Sequence, residues 1–460
     1  MVKGQLYRSS TELRITSNFP TFTEFCCGNS IQNSEFIEDQ VEKIESVEYN
    51  DYVYDFTMNE VNHNFIANCI VSHNCGMRLL TTNLTFKDVK PKLRQVVDLL
   101  FETVPTGVGC EGSIKLSQSQ FDEVMSDGSE WCARNGYAWK EDVERTEENG
   151  KLEQADPSKV SQRARSRGIK QLGTLGSGNH YLEIQVAGEK EVFDSATAKA
   201  WGITEPDQVV VMFHCGSRGF GHQICSDYVE LFLRKLDDYK ISLPDRELAC
   251  APFQSREGQD YFGAMCAAIN FSFASRQVIL HRVREAFAKV FKTDAEKLGM
   301  DMVYDVAHNT AKIEEYKVDG KKQKLVVHRK GATRCFGPSR PELEKLFRKT
   351  GQPVIVGGSM ETGSYLCVGT DKADDETFAS TMHGSGRTMS RAQAKREIRG
   401  DALQRDMEKR GIYVRSASMS GLAEEAGVAY KDIHQVVETM DIAGISKRVV
   451  ALRPVGNIKG

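Results

Sequence analysis

Apolar and polar residues alternate through the first part of the chain. "KIESVEYNDYVYDFTM" and "NFIANCIVS" carry the period of two that predicts strands, with polar turns between them. The pattern then changes: 87–105 and 112–150 read as helices and loops, the latter charged and exposed. From 168 to 230 short apolar strands alternate with Gly-rich loops, and "DQVVVMFHCGSRGFGHQICSDYVELFLRKL" reads as strand, glycine loop and helix. A long amphipathic helix is predicted over 258–295, strands at 302–307, 324–328, 353–356 and 365–368, and helices at 390–410 and 421–440. Strands and helices mix without strict βαβ alternation, which predicts an α+β fold rather than a doubly wound sheet.

Composition narrows this picture only slightly. The chain has 460 residues, 40% hydrophobic and 27% charged, with a net charge of −4, so any nucleic-acid surface must be a local patch. No apolar run approaches the ~20 residues of a membrane span, and "MVKGQLYRSSTELR" lacks the apolar core of a signal peptide. Twelve cysteines occur without CxxC spacing. Reduced thiols, a cytoplasmic location and no membrane partner are the expectation.

The chemistry gathers on histidines. Ten are present, and His180, His214, His308 and His383 share one local setting: each stands at a strand-to-loop boundary beside glycine, asparagine or cysteine. Such boundaries present a side chain to a cavity while the backbone comes close to a ligand. Imidazoles with one cysteine suit zinc, manganese, cobalt or iron, and the ligand types do not choose among them. The loops "LGSGNH", "CGSRGFGH", "GGSMETGSY" and "HGSGRTMSR" add backbone N–H groups, serines and arginines fit for phosphate oxygens. None has the GxxxxGK[ST] spacing of a P-loop.

The segments "CGMRLL", "LGTLGSGNHYLEI", "FHCGSRGFGHQIC", "DVAHNTAK", "HRKGATRCFGP", "GGSMETGSYL", "MHGSGRTMSRAQA" and "LRPVGNIKG", in this order from Cys75 to Gly460, resemble the RtcB-type RNA ligases. The resemblance implies an RtcB-like α+β fold with mixed sheets and surrounding helices. It implies a GTP- and Mn2+-dependent enzyme joining RNA 3′-phosphate or 2′,3′-cyclic phosphate ends to 5′-hydroxyl ends, with tRNA halves as substrates. Cys75, His180, His214 and His308 would hold two metals, with the Cys75 thiolate bridging. His383 would take GMP as a phosphoramidate. Asn179, Glu183, Asn309, Ser359, Ser364, Gly386, Tyr430 and Lys459 would contact the guanylate, and Arg218, Lys330 and Arg391 would hold RNA phosphates. A helper protein that stimulates turnover is a further implied partner. Two rival readings stay open: an inactive remnant that binds nucleotide or RNA, and a metal-dependent phosphoesterase with no covalent guanylation.

Three positions depart from that family. Tyr181 stands where it often has Phe, and Glu361 stands where Gly is usual, placing an acid near a triphosphate site. Ser72 occupies the place of an aspartate three residues before the cysteine, and a hydroxyl is a poorer metal ligand than a carboxylate. Upstream of Cys75 the chain resembles instead the C-terminal end of an intein, "VYDFTMNEVNHNFIANCIVSHN" followed by Cys. In that resemblance Asn74 cyclises to break the chain, His73 polarises the scissile amide, Asp55 and His63 assist, and Cys75 is the acceptor thiol. The expected organisation is therefore a small, mainly-β intein fragment at 1–74, with 1–45 an eroded nuclease-region tail, and a ligase domain at 75–460 lacking its N-terminal segment. A separate N-terminal half, joined by trans-splicing, is the implied partner.

Overall fold

The computed structural model describes residues 74–318 and 320–460, together with three short strands upstream. Asp55, His63, Ser72 and His73 lie outside the described residues. Two units divide the chain: Met1–His63 with Ser242–Arg246, and Asn64–Ile241 with Glu247–Gly460. In the first, β1 (Leu6–Arg8) and β2 (Thr11–Leu13) pair as an antiparallel hairpin.

In the second, β3 (Phe65–Ala67), β4 (Gly76–Leu80), β5 (Tyr181–Val192), β6 (Gln208–Cys215), β7 (Cys250–Pro252) and β8 (Met302–Ala307) come first. They are followed by β9 (Asn309–Val318), β10 (Lys321–Lys330), β11 (Ala332–Arg334), β12 (Pro353–Gly357), β13 (Ser364–Gly369), β14 (Ser380–Met382), β15 (Tyr413–Ser416) and β16 (Ser446–Lys459). The main sheet has the order β12-β13-β16-β5-β6-β4-β8, with β15 added parallel to β16. All its other pairs are antiparallel. The absence of βαβ alternation in the sequence agrees with this pairing.

Both faces of the sheet are covered, and β6 shows why its apolar run is unbroken. Val209, Val211 and Phe213 join one core cluster with the helix Leu93–Thr103 and the second half of the helix Arg256–Phe291. Val210 and Met212 join another, with Met77, Leu79 and Tyr181. A strand buried on both faces reads as continuous hydrophobicity rather than alternation. His214 continues the second face, so the same register that buries Val210 and Met212 delivers its ring toward Tyr181 and Met77.

The predicted helix at 258–295 is Arg256–Phe291, capped by Ser255 Oγ, which accepts from the Gly258 N–H at 3.0 Å. Its Arg276 reaches the sheet. Arg276 donates to both oxygens of Asp305 (2.7 and 2.6 Å), and Arg78 donates to the same carboxylate at 2.6 Å. All three side chains are fully buried. Gly76 is the residue that lets β4 pass: a Cβ there would stand 2.5 Å from Val306 O and 2.7 Å from Arg276 Cζ. Gly76→Ala is therefore expected to cost about 1–3 kcal/mol of stability through overpacking. Denaturant unfolding of the two proteins checks this, and an unchanged midpoint would refute it.

Three expectations change. The segment 390–410 is two helices, Arg391–Glu397 and Gly400–Lys409, because Ile398 is extended and Gly400 packs where a Cβ would be 2.0 Å from Met419 O. The segment 421–440 is broken likewise into Met419–Glu424 and Ile433–Ala443, and the intervening loop carries Glu425 and Tyr430 inward. The strand at 324–328 is the middle of β10, which pairs along its length with β9.

Candidate active site

Four segments converge at one end of the main sheet. Cys75 immediately precedes β4, His214 is near the end of β6, His308 follows β8, and His180 directly precedes β5. Cys75 Sγ lies 3.4 Å from His180 Nε2, and the ligand atoms of Cys75, His180 and His214 all lie within 4.8 Å of one another. His308 joins through His214, the two Nε2 atoms being 3.0 Å apart. All four side chains are buried.

The donor set fits a transition-metal ion on two grounds. First, ring orientation: His214 Nδ1 donates to Asn179 O at 2.8 Å, which selects the tautomer that leaves its Nε2 lone pair turned to the shared centre. The His180 ring is held at Nδ1 by Leu175 O at 2.9 Å and the Arg218 guanidinium at 2.8 Å, which turns its Nε2 to Cys75. Second, electrostatics: burial pushes the Cys75 thiol up to about 12, against the opposing pull of Lys330, Arg276 and Arg218. Burial likewise holds His214 down to about 3 and His308 well below the ordinary imidazole range. Neutral imidazoles beside a thiol that needs a cation to ionise are the protonation states a bound metal completes.

Next to this cluster is a cavity lined by His214 and His383, with Asn179, Glu183, Ser359, Gly386, Tyr430 and Lys459. Six of the eight candidate nucleotide contacts thus share one wall system. The other two are set back. Ser364 accepts from Gln185 Nε2 at 3.1 Å, and the same amide holds Glu183 at 2.6 Å. Asn309 Oδ1 accepts from the Gly331 N–H at 3.0 Å. Gly331 O in turn accepts from His383 Nδ1 at 2.5 Å, so Asn309 positions the loop that orients His383. The His383 and His308 ring centroids are 4.6 Å apart. Burial, partly offset by the Gly331 hydrogen bond, lowers the His383 pKa, and Lys330 lowers it further.

Of the candidate phosphate contacts, Arg391 lines the cavity, half-exposed and paired with Glu424 and Glu425. Arg218 is half-buried with φ +59°, its Nε donating to Thr174 Oγ1 at 3.3 Å. Lys330 is exposed at the end of β10, close enough to act on Cys75 and His383.

Two charged lining residues were not singled out from the sequence. Arg387 donates to the Tyr430 hydroxyl at 2.9 Å and to Glu425 at 3.3 Å. Glu425 is buried, yet Lys459, the Tyr430 hydroxyl, Arg391 and Arg387 overcome that burial and hold its carboxyl down to about 2. Arg387 shares the Gly-Ser setting of "HGSGR", which could have flagged it; nothing in "LAEEAG" marks Glu425. Burial raises Glu183 to about 7, against Lys459 and hydrogen bonds from Asn457 and Gln185. Glu361 is tied off: Arg410 donates to it at 2.5 Å and the Gly427 N–H donates to its other oxygen.

The family described as "tRNA-splicing ligase RtcB" matches residues 52–460. A protein of that name from Pyrococcus abyssi is 53% identical over 448 residues, which are 97% of this chain and 48% of that protein. One from Methanocaldococcus jannaschii is 49% identical over 462 residues, 100% of this chain and 47% of that protein. One from Archaeoglobus fulgidus is 54% identical over 387 residues, 84% of this chain and 80% of that protein. The chain thus spans about half the length of the first two relatives and four-fifths of the third.

Proposed function

The chain belongs to the RtcB tRNA-splicing ligase family, and from that premise we propose that it supplies the catalytic centre of a GTP- and Mn2+-dependent RNA ligase. That enzyme joins a 3′-phosphate or 2′,3′-cyclic phosphate to a 5′-hydroxyl, with tRNA halves as substrates, in the cytoplasm. One observation carries the reading: His383 donates its Nδ1 proton to a backbone carbonyl, which leaves Nε2 as the lone-pair nitrogen beside the cavity that Glu183, Tyr430 and Lys459 line.

In the proposed first step the Nε2 lone pair attacks the α-phosphorus of GTP. An N–P bond forms, the P–O bond to the β-phosphate breaks, and pyrophosphate leaves with its electrons. Gly331 O accepts the Nδ1–H throughout, so it stabilises the positive charge that develops on the ring. GMP passes next to an oxygen of the RNA 3′-phosphate and His383 is regenerated; the 5′-hydroxyl then displaces GMP. Arg218, Lys330 and Arg391 hold the RNA phosphates. Metal on Cys75, His180, His214 and His308 would supply positive charge against phosphoryl oxygens and, for a cyclic end, a more acidic water. Covalent transfer of label from α-labelled GTP to the protein, in Mn2+, tests the reading; absence of any adduct would overturn it.

We infer that the segment before Cys75 is the intein fragment that its sequence resembles, although the family match begins at residue 52. Relatives matched over the whole chain are about twice as long as those matched over 84% of it, as expected if the longer ones carry an inserted segment whose end this chain retains. Asn74 would then be the cyclising residue and Cys75 the acceptor, with Asp55, His63 and His73 assisting. Cys75 would serve first in splicing and afterwards as a metal ligand. Mixing the chain with a matching N-terminal half is expected to give a joined product that has lost residues 1–74, read by intact mass. A mixture that keeps both starting masses would refute trans-splicing.

A further inference from the structure

Between Asp156 and Glu183 the chain has no carboxylate but five cations: Lys159, Arg163, Arg165, Arg167 and Lys170. The helix Gln162–Gly168 divides them by face. Arg165 turns inward to Asp122 and to Pro157 O, and Lys159 pairs with Asp260 at 2.8 Å. Ala164 and Gly168 are buried, and a Cβ on Gly168 would stand 2.7 Å from Phe121 and Phe220, so this side of the helix lies tight on the core. Arg163, Ser166, Arg167 and Lys170 follow the i, i+3, i+4, i+7 spacing of the opposite face, which Ile169 prolongs in αR conformation. All four are exposed. Neither Arg163 nor Arg167 has a carboxylate partner among the described residues, and Lys170 meets only the exposed Glu111, at 3.2 Å.

A run of surface cations is ordinarily a solvated face. This one has a direction. The segment that leaves the helix sends the Gln171 side chain to the Gly219 N–H (3.0 Å), immediately beyond Arg218, and places Thr174 against the Arg218 guanidinium. A Cβ on Gly176 would overlap that guanidinium at 1.7 Å, so Arg218 lies flat on the loop that ends in Asn179 and His180. The stripe is thus joined, through six residues of chain, to the arginine beside the metal cluster.

We propose that Arg163, Arg167 and Lys170 form a track for the phosphodiester backbone of single-stranded RNA, which leads one substrate strand to Arg218 and the cavity. The occupant follows from charge and form: two guanidinium groups without a carboxylate partner among the described residues, continued by the Lys170 ammonium and open on one side, match the repeating monoanion of a nucleic-acid strand. The track makes backbone contacts and therefore adds affinity without sequence preference. It rests on the ligase reading and extends it from the reacting end to the strand behind that end.

The test is fluorescence anisotropy of labelled single-stranded RNA bearing a 3′-phosphate, titrated with the full chain across a series of salt concentrations. Removing two phosphate contacts in R163A/R167A is expected to weaken binding of a twelve-nucleotide RNA by about tenfold near 0.1 M salt, and to flatten the log–log salt slope by about 1.4. A three-nucleotide RNA that the cavity holds by its 3′-phosphate leaves the track empty on this proposal, and is expected to bind both proteins equally. The control K321A/K324A, which removes exposed lysines of β10, is expected to behave as the unaltered chain. Equal slopes for R163A/R167A and the unaltered chain would overturn the track while leaving the ligase reading intact. Failure of the unaltered chain to bind RNA at all, together with no label from GTP, would overturn both.

Discussion

Replacing His383 with alanine is expected to abolish every trace of covalent label that the protein takes from α-labelled GTP in Mn2+, while leaving the metal cluster intact. The loss is expected to be complete because no other imidazole of the cluster can replace it. His180 and His214 have their Nε2 atoms turned to Cys75 and His308. His308 is packed behind the His383 ring. The side chain makes one hydrogen bond, to Gly331 O, so its removal costs about 1 kcal/mol of stability and the variant should fold. Metal content measured on the same sample separates chemistry from collapse. Retention of the adduct would place the nucleophile elsewhere. No adduct on the unaltered chain, with hydrolysis of a phosphate ester that survives in the variant, would favour a phosphoesterase instead. A milder lesion should follow at Asn309, whose amide oxygen holds the Gly331 loop.

How far this centre was legible from the sequence depended on the range of each signal. The four histidines could be found because strand ends and glycine loops are local features, written within a few residues of each ring. The strand at 302–307 was legible because β8 is buried from end to end and is apolar at every position but Asp305. Strand β16 was not, although it lies inside the main sheet between β13 and β5. Its sequence "SKRVVALRPVGNIK" contains a proline and a glycine, residues that argue against a central strand. The structure accommodates them with register shifts between Val450 and Leu452 and between Pro454 and Gly456. That irregularity carries Asn457 to Glu183 at 2.7 Å and Lys459 to His180 O at 3.2 Å. The same features that hid the strand therefore equip the cavity. Arg78, Arg276 and Asp305 were invisible for another reason: their partners are up to 227 residues apart, and no spacing rule connects them.

Asp305 is the position where a single atom exchange is expected to cost the most stability. Asp305→Asn preserves shape but leaves Arg78 and Arg276 as two buried guanidinium groups without a counter-charge. Breaking a buried pair by removing one partner costs about 3–5 kcal/mol, a large part of the roughly 5–15 kcal/mol that holds a typical domain together. The site should suffer with the fold. Arg276 also donates to Cys215 O at 3.1 Å and to Ser272 Oγ at 2.5 Å, and Ser272 Oγ donates to Asn74 O at 2.8 Å, the carbonyl joined to Cys75. A displaced Arg276 thus loosens the backbone that carries the Cys75 sulfur. The comparison that isolates burial is Asp98→Asn: Asp98 accepts from Arg415 and Tyr413, both at 2.9 Å, but its ion pair stands about two-fifths exposed. Water screens that pair, so its loss should cost no more than about 1 kcal/mol. Urea unfolding of both variants, followed by metal titration at equal folded fraction, is expected to separate them clearly. Equal midpoints would mean that the buried carboxylate is not what anchors Arg276 beneath Cys75.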